Sequence, residues 1–103
     1  MSIAAISDIW SLDIPPTRKI LLLKLADCAN EPGRIPHQPV GELARTCGMS
    51  LDSARKILRE LVESGVLVIE TCEAASERTT VYWLNLKTAR AHYGALRHPD
   101  RAA

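Results

Sequence analysis

The segment spanning residues 41–65, GELARTCGMSLDSARKILRELVESG, constrains the fold of this chain most. In its second half the apolar residues recur at the i, i+3, i+4, i+7, i+8 spacing of one buried helix face. They are Ala54, Ile57, Leu58, Leu61 and Val62. Ser50 precedes them and is typical of a helix N-cap. Gly48 can adopt the positive φ that ends a preceding helix carrying Leu43 and Ala44. The sequence therefore predicts two short helices joined by a glycine-containing turn.

This spacing is typical of a helix-turn-helix, and the small side chain of Ala44 allows the two helices to approach at a steep angle. The alternative is an ordinary helical hairpin in an all-helical domain. The composition after Gly65 favours the first interpretation, because residues 66–72 and 79–86 have the β-branched and aromatic content of strands. We predict a β-hairpin over residues 66–86, with residues 73–78 forming a loop too long for a two-residue turn. A helix-turn-helix followed by a hairpin is a winged helix.

The rest of the chain completes this architecture. Residues 20–29, ILLLKLADCA, are apolar nearly all round and follow Pro15 and Pro16, which predicts a first helix in the core. Residues 35–37 suit a short edge segment that pairs with the hairpin, where a proline is tolerated. A short amphipathic helix is expected near the N-terminus, and a final one over residues 87–97, with Ala89, Tyr93 and Leu96 on one side.

We predict a mainly α fold of the α+β class, a winged helix-turn-helix with a three-helix core, a wing and a C-terminal helix. The 103 residues suit one domain with a modest core. Its expected parts are an N-terminal extension (1–14), a helical core (15–65) with the helix-turn-helix at 39–65, a wing hairpin (66–86) and a C-terminal helix and tail (87–103). No apolar run approaches the roughly 20 residues of a membrane span, and signal-peptide features are absent, so we expect a cytoplasmic chain with no membrane partner.

The residue types that carry catalysis or bind metals do not form a recognisable pattern. Cys28, Cys47 and Cys72 include no CxxC pair, which predicts buried free thiols rather than a disulfide or a metal cage. The three histidines are scattered, and no nucleophile elbow or phosphate-binding loop occurs. We therefore predict that the chain is not an enzyme and needs no cofactor or metal.

Residues 10–65 resemble the helix-turn-helix domain of phage and plasmid replication proteins and of related bacterial regulators. The matching parts are Trp10 and Leu12, the segment LLLKLADCAN, the Gly33-Arg34 turn, Ile35-Pro36-His37, LARTCGMS and LVESGVL. The resemblance implies that the protein binds duplex DNA. It places the second helix, residues 50–64, in the major groove and the hairpin against the backbone or minor groove nearby.

The side of the second helix opposite the buried stripe supplies the candidate DNA contacts. With one residue from the hairpin, they are Ser50, Asp52, Ser53, Arg55, Lys56, Arg59 and Arg78. Arg55 and Arg59 are expected to reach guanine edges or phosphates, and Lys56 a phosphate. Ser50 and Ser53 are expected to contact backbone oxygens near the helix N-terminus. The alternative is a solvated face with salt bridges from Asp52 to Lys56 and from Arg59 to Glu63.

Charge argues against a strong electrostatic footprint, since residues 39–65 hold four basic and four acidic side chains. Glu73 and Glu77 in the hairpin would repel phosphate. Positive charge collects instead after the hairpin. There Lys87, Arg90, Arg97 and Arg101 outnumber Asp100, which makes this segment a candidate source of phosphate contacts.

Two functions therefore remain open. The first is a sequence-specific double-stranded DNA-binding protein of phage, plasmid or bacterial origin, acting in transcription regulation or replication initiation. The second is a winged helix for protein–protein contact, either a dimerisation module or an inhibitor of a host protein, with Trp10 and Trp83 as surface anchors. A homodimer is expected, because winged-helix regulators often bind palindromes as two-fold dimers, with the apolar N-terminal stretch or the final helix as interface.

Overall fold

The computed structural model describes residues 3–30, 33–74 and 77–96, and the side chains of these except residues 3, 72–74 and 77–79. Within these ranges the chain forms five helices and three strands. They are α1 (Ile3–Trp10), α2 (Pro16–Cys28), β1 (Arg34–Ile35), α3 (Val40–Cys47), α4 (Leu51–Glu63), β2 (Leu67–Ala74), β3 (Glu77–Leu84) and α5 (Leu86–Tyr93).

Local sequence signals account for the ends of the central helices. Pro16 is the first residue of α2, where a missing backbone N–H costs nothing. Gly48 ends α3 in the left-handed conformation with φ of 70°, which a residue without Cβ adopts readily. Ser50 caps α4, and its Oγ accepts a hydrogen bond from the Ser53 N–H at 3.1 Å. The predicted pair of helices joined by a glycine turn is confirmed.

The three strands form an antiparallel sheet in the order β1-β3-β2. Ile35 of β1 pairs with Tyr82, which confirms the predicted edge pairing there, but the strand is Arg34–Ile35 and does not include residues 36–37. Leu67 of β2 pairs with Leu84, and both are buried on the side that faces the core. Because side chains alternate across a strand, Val68 lies on the outer side of the sheet.

The hairpin is confirmed, but the prediction of a long loop over residues 73–78 was wrong. Pairing continues to the Ala74–Glu77 pair, so only residues 75 and 76 lie between the strands. Strand pairing is made by main-chain groups, so polar side chains do not by themselves interrupt it. A change to polar composition therefore did not mark the end of the strands.

The core is built around α2, whose Leu21, Leu22 and Leu25 are fully buried. They belong to one apolar cluster with buried residues from every other described element. On α4 the predicted stripe is buried at Ala54, Ile57, Leu58 and Leu61, and only half-buried at Val62. Helix periodicity thus identified the inner side of α4 correctly.

The two ends of the described chain pack together. Leu12 and Ala95 form an antiparallel bridge, and the Leu96 N–H donates to the Ser11 carbonyl oxygen at 2.9 Å. The last helix ends at Tyr93, whereas the apolar periodicity predicted a helix to residue 97. The glycine after Tyr93 ends the helix, and the next residues pair with the chain that leads from α1 to α2.

Helices α2, α3 and α4 form a three-helix core, and β2 and β3 form a wing after it. The structure is a winged helix-turn-helix of the α+β class, as predicted. Helix α1 packs on α2, and α5 packs on α1. The apolar side of α1 is used inside the molecule, because Ala5 and Ile9 are buried in the common core.

Candidate nucleic-acid interface

The outer side of α4 carries the candidate DNA contacts that were predicted from the sequence. Six of them lie in α4 or at its N-cap, and all six are exposed to solvent: Ser50, Asp52, Ser53, Arg55, Lys56 and Arg59. The seventh, Arg78, lies in β3 opposite Glu73, and its side chain is outside the part that the structure describes. The arrangement is one exposed helix side in which cations and small hydroxyl groups are neighbours.

The basic side chains on this surface are not paired with acidic neighbours. Within the described residues, neither Arg55 nor Lys56 nor Arg59 lies within 4.0 Å of a carboxylate oxygen. The salt bridges from Asp52 to Lys56 and from Arg59 to Glu63, which the alternative interpretation required, are therefore not formed. Three exposed cations are available to an external anion.

Glu60 does not add its negative charge to this surface, because it is paired with Arg18 of α2. The Arg18 Nε donates to Glu60 Oε2 at 2.7 Å, and Nη2 of the same guanidinium contacts that oxygen as well. Both side chains are partly buried between α2 and α4. With Glu60 neutralised from the inner side, the solvent-facing side of α4 holds three bases against two acids, Asp52 and Glu63.

This ion pair gives a testable stability effect. Glu60→Ala is expected to lower the free energy of unfolding by about 1 kcal/mol, because it removes a two-nitrogen contact and leaves the guanidinium of Arg18 without its partner. Urea denaturation measures the change. The matched control is Glu63→Ala on the same helix, exposed and without an ion pair within the described residues, with an expected change below about 0.5 kcal/mol. Equal effects of the two substitutions would show that the ion pair contributes nothing.

The start of α4 has a built-in structural role as well as exposed polar groups. The Ser50 hydroxyl accepts from the Ser53 N–H and donates to Ser53 Oγ at 2.9 Å. Asp52 lies in the first turn, where a carboxylate interacts favourably with the helix dipole. Ser50 is thus primarily a cap, while the Ser53 hydroxyl proton remains available to donate to an oxygen of a ligand.

A groove of about 360 Å³ lies between α4 and the wing. It is lined by Val40, Arg55, Leu58, Arg59, Val62, Glu63, Ile69 and Tyr82. Two of the candidate arginines therefore border a largely apolar depression. Burial raises the pKa of the Tyr82 phenol above its ordinary value, which is itself well above neutral, and a protonated phenol can donate a hydrogen bond.

The comparison with known proteins identifies the family. A family model described as a helix-turn-helix domain matches residues 12–67, more than half of the chain. This chain belongs to the helix-turn-helix domain family. Searches of the curated proteins and of the solved structures find no significant match. The matched region contains α2, β1, α3 and α4, whereas α1, most of the wing and α5 lie outside it.

In this helix-turn-helix domain α3 and α4 are the two helices of the motif, and α4 has the position of the helix that is called the recognition helix in such motifs. Helix-turn-helix domains are DNA-binding modules, and DNA is the partner that the family supports. The domain presents the exposed side of its recognition helix without any other described element covering it. The inner side of the recognition helix packs on the apolar core, and Glu60 of this helix pairs with Arg18 of α2.

A second, smaller cleft of about 200 Å³ lies where the start of α2 approaches the recognition helix. Its lining brings Thr17 and Arg18 beside Ser53 and Lys56. Thr17 was not among the residues expected from the sequence. The sequence places Thr17 in the first turn of α2. Its proximity to Lys56 depends on how α2 packs against α4, which the sequence does not show.

The basic C-terminal segment is less available than its composition indicates. Arg90 of α5 donates to Asp8 of α1 at 2.6 Å, so this cation joins the two ends of the domain. Lys87 is exposed on α5. Arg97 and Arg101 lie outside the described residues. One of the four expected phosphate-binding cations is therefore already paired.

The described residues were also considered as metal ligands, as a membrane-spanning helix and as reactive thiols. Among them, no group of three or more His, Cys, Asp or Glu side chains is placed to hold a metal ion, and no helix is long and apolar enough to cross a membrane. Cys28 and Cys47 are free thiols and half-buried. Burial raises the pKa of the Cys47 thiol, while the ammonium of Lys24 lowers it. The side chain of Cys72 lies outside the described part.

Proposed function

We propose that this protein binds double-stranded DNA in a sequence-specific manner and acts as a transcription regulator or in replication initiation, in a phage, a plasmid or a bacterium. It would act in the cytoplasm. The observation that carries the proposal is a set of three exposed cations on the recognition helix of a helix-turn-helix domain, Arg55, Lys56 and Arg59, which form no ion pair with any residue that the structure describes. Because the phosphate backbone dominates affinity, free cations on the element that enters the major groove supply the attraction.

The proposed contacts rest on side-chain chemistry. Arg55 and Arg59 are one helical turn apart and suit bidentate hydrogen bonds to guanine edges or phosphates. Lys56 and the Ser53 hydroxyl suit phosphate oxygens beside the start of the helix. Asp52 suits a cytosine amino group, since a carboxylate accepts and would be repelled by phosphate. From the wing, Arg78 is proposed as a backbone contact.

The alternative function is protein–protein contact, and exposed apolar side chains favour it. Trp10 is 58% exposed at the end of α1, and Ile20 is 46% exposed on α2. Trp83, the other expected anchor, is half-buried, and its Nε1 donates to Glu70 at 2.6 Å. A homodimer would then use the surface around Trp10, because the apolar side of α1 is already buried. Light scattering of the purified protein over a wide concentration range tests for this dimer.

The deciding experiment is fluorescence anisotropy of a random-sequence duplex pool at rising salt concentration, followed by sequence selection on the bound fraction. A steep loss of affinity with salt and enrichment of one motif are expected, since each phosphate contact releases counterions. Absence of binding at low salt would contradict the proposal and leave protein–protein contact as the function. Binding that depends on salt but enriches no motif would overturn sequence specificity alone.

A further inference from the structure

The groove between the recognition helix and the wing has the size and lining of a small-molecule site. Its volume of about 360 Å³ falls within the range of ligand-binding pockets. Aliphatic side chains from three elements form its walls, and Ile69 remains 46% exposed although it lies on the core-facing side of β2. Covering an exposed apolar side chain in a concave site removes apolar surface from water, which favours binding of a ligand there.

Four of the residues that line the groove have polar side chains, and three of these are charged. Arg55 and Arg59 form no ion pair within the described residues. Glu63, the acidic residue of the groove, lies one helical turn after Arg59. The positive end of the groove is therefore towards the start of α4 and the negative end towards its close. Tyr82 adds a protonated hydroxyl that can donate a hydrogen bond.

This combination fits a duplex poorly as the only occupant. A sugar–phosphate strand in the groove would bring charged phosphates against Val62 and Ile69, which offer them no hydrogen bond. An anion with an apolar body satisfies both parts, because its charge lies beside the two guanidinium groups and its body covers the aliphatic walls.

We propose that this groove binds a small amphipathic organic anion, such as an aromatic carboxylate or sulfonate, and that the bound anion competes with DNA for Arg55 and Arg59. Binding of the anion is independent of the proposed function. Only the competition rests on the proposal that the recognition helix binds duplex DNA. The domain would then be a DNA-binding protein that an apolar acid releases from its site.

The test uses the full chain and 8-anilinonaphthalene-1-sulfonate as the probe, whose fluorescence rises in an apolar site. We expect one probe per chain and at least tenfold weaker binding to Ile69→Glu, because the new carboxylate occupies the groove and pairs with the arginines. The matched control is Val68→Glu, which adds the same charge to the neighbouring, 48% exposed residue on the opposite side of β2. Its probe affinity is expected to change less than twofold.

Two further measurements keep the test decisive. Arg55→Gln/Arg59→Gln is expected to weaken the sulfonate but not the uncharged analogue N-phenyl-1-naphthylamine, and it serves if Ile69→Glu fails to fold by circular dichroism. Equal probe binding by the Ile69 and Val68 variants, or no effect of the arginine pair, would overturn the site. Probe binding without displacement of a bound duplex would overturn the competition. Duplex binding without the probe is measured separately and tests the proposed function alone.

Discussion

Replacing Leu61 with alanine is expected to lower the free energy of unfolding by about 3–5 kcal/mol. Leu61 is fully buried on the inner side of the recognition helix and belongs to the main apolar cluster. Truncation removes apolar contacts and leaves a cavity that the packed neighbours fill only partly. Because domains of this size are stable by about 5–15 kcal/mol, the substitution removes a large fraction of the total. Urea denaturation and the thermal midpoint measure it.

Leu51→Ala is the control for this effect. Leu51 is the first residue of the same helix, but its side chain is 40% exposed. The same chemical truncation there is expected to cost less than about 1 kcal/mol, since little buried area is lost. A similar loss for both variants would mean that the recognition helix is not seated on the core through Leu61.

The largest effect on binding is expected for Arg55→Ala/Arg59→Ala, which should weaken duplex binding by at least about 30-fold, at roughly 1–3 kcal/mol per arginine contact. Anisotropy with the selected duplex measures the loss. Neither guanidinium has an ion-pair partner among the described residues, so the thermal midpoint should stay nearly unchanged. If one arginine contacts only phosphate, its single substitution also reduces the salt dependence by about one counterion.

Arg34→Ala controls for the loss of positive charge. Arg34 is exposed on β1, and its neighbour Ile35 is buried in the core, so alternation places Arg34 on the outer side of the sheet. Its substitution is expected to change duplex affinity by less than about threefold, since exposed charges that are distant from the bound DNA are screened. An equal loss for Arg34→Ala and for a single recognition-helix variant would argue that general charge, rather than the recognition helix, determines binding.

Much of the fold was predictable because the relevant signals are local. Apolar spacing identified the inner side of α4, Ser50 and Gly48 marked helix ends, and β-branched composition identified the wing. The predictions were wrong at the strand ends in the hairpin and at the end of the last helix, where contacts with other segments rather than local composition set the structure. In the polar segment, residues 73–74 and 77–78 continue the strands through main-chain pairing. The last helix ended before Leu96, whose N–H pairs instead with Ser11.

The candidate site was predictable only as a set of residues on one helix side. Periodicity placed Arg55 and Arg59 outward, and the structure has both exposed. Periodicity could not show that Glu60 forms an ion pair with Arg18 of α2, which lies 42 residues earlier in the chain. For the same reason it could not bring Ile69 of the wing into one groove with the recognition helix.

The sequence by itself determined the elements, their order and the helix side that faces solvent, because periodicity and capping act between residues a few positions apart. Only the tertiary structure decided which charges on that side remain free and what shape lies beside them. Those properties depend on contacts between distant segments, such as α2 against α4 for the Glu60 charge and the wing against α4 for the groove. Coulomb energy and apolar burial depend on distances in space, and the packing of the core sets those distances.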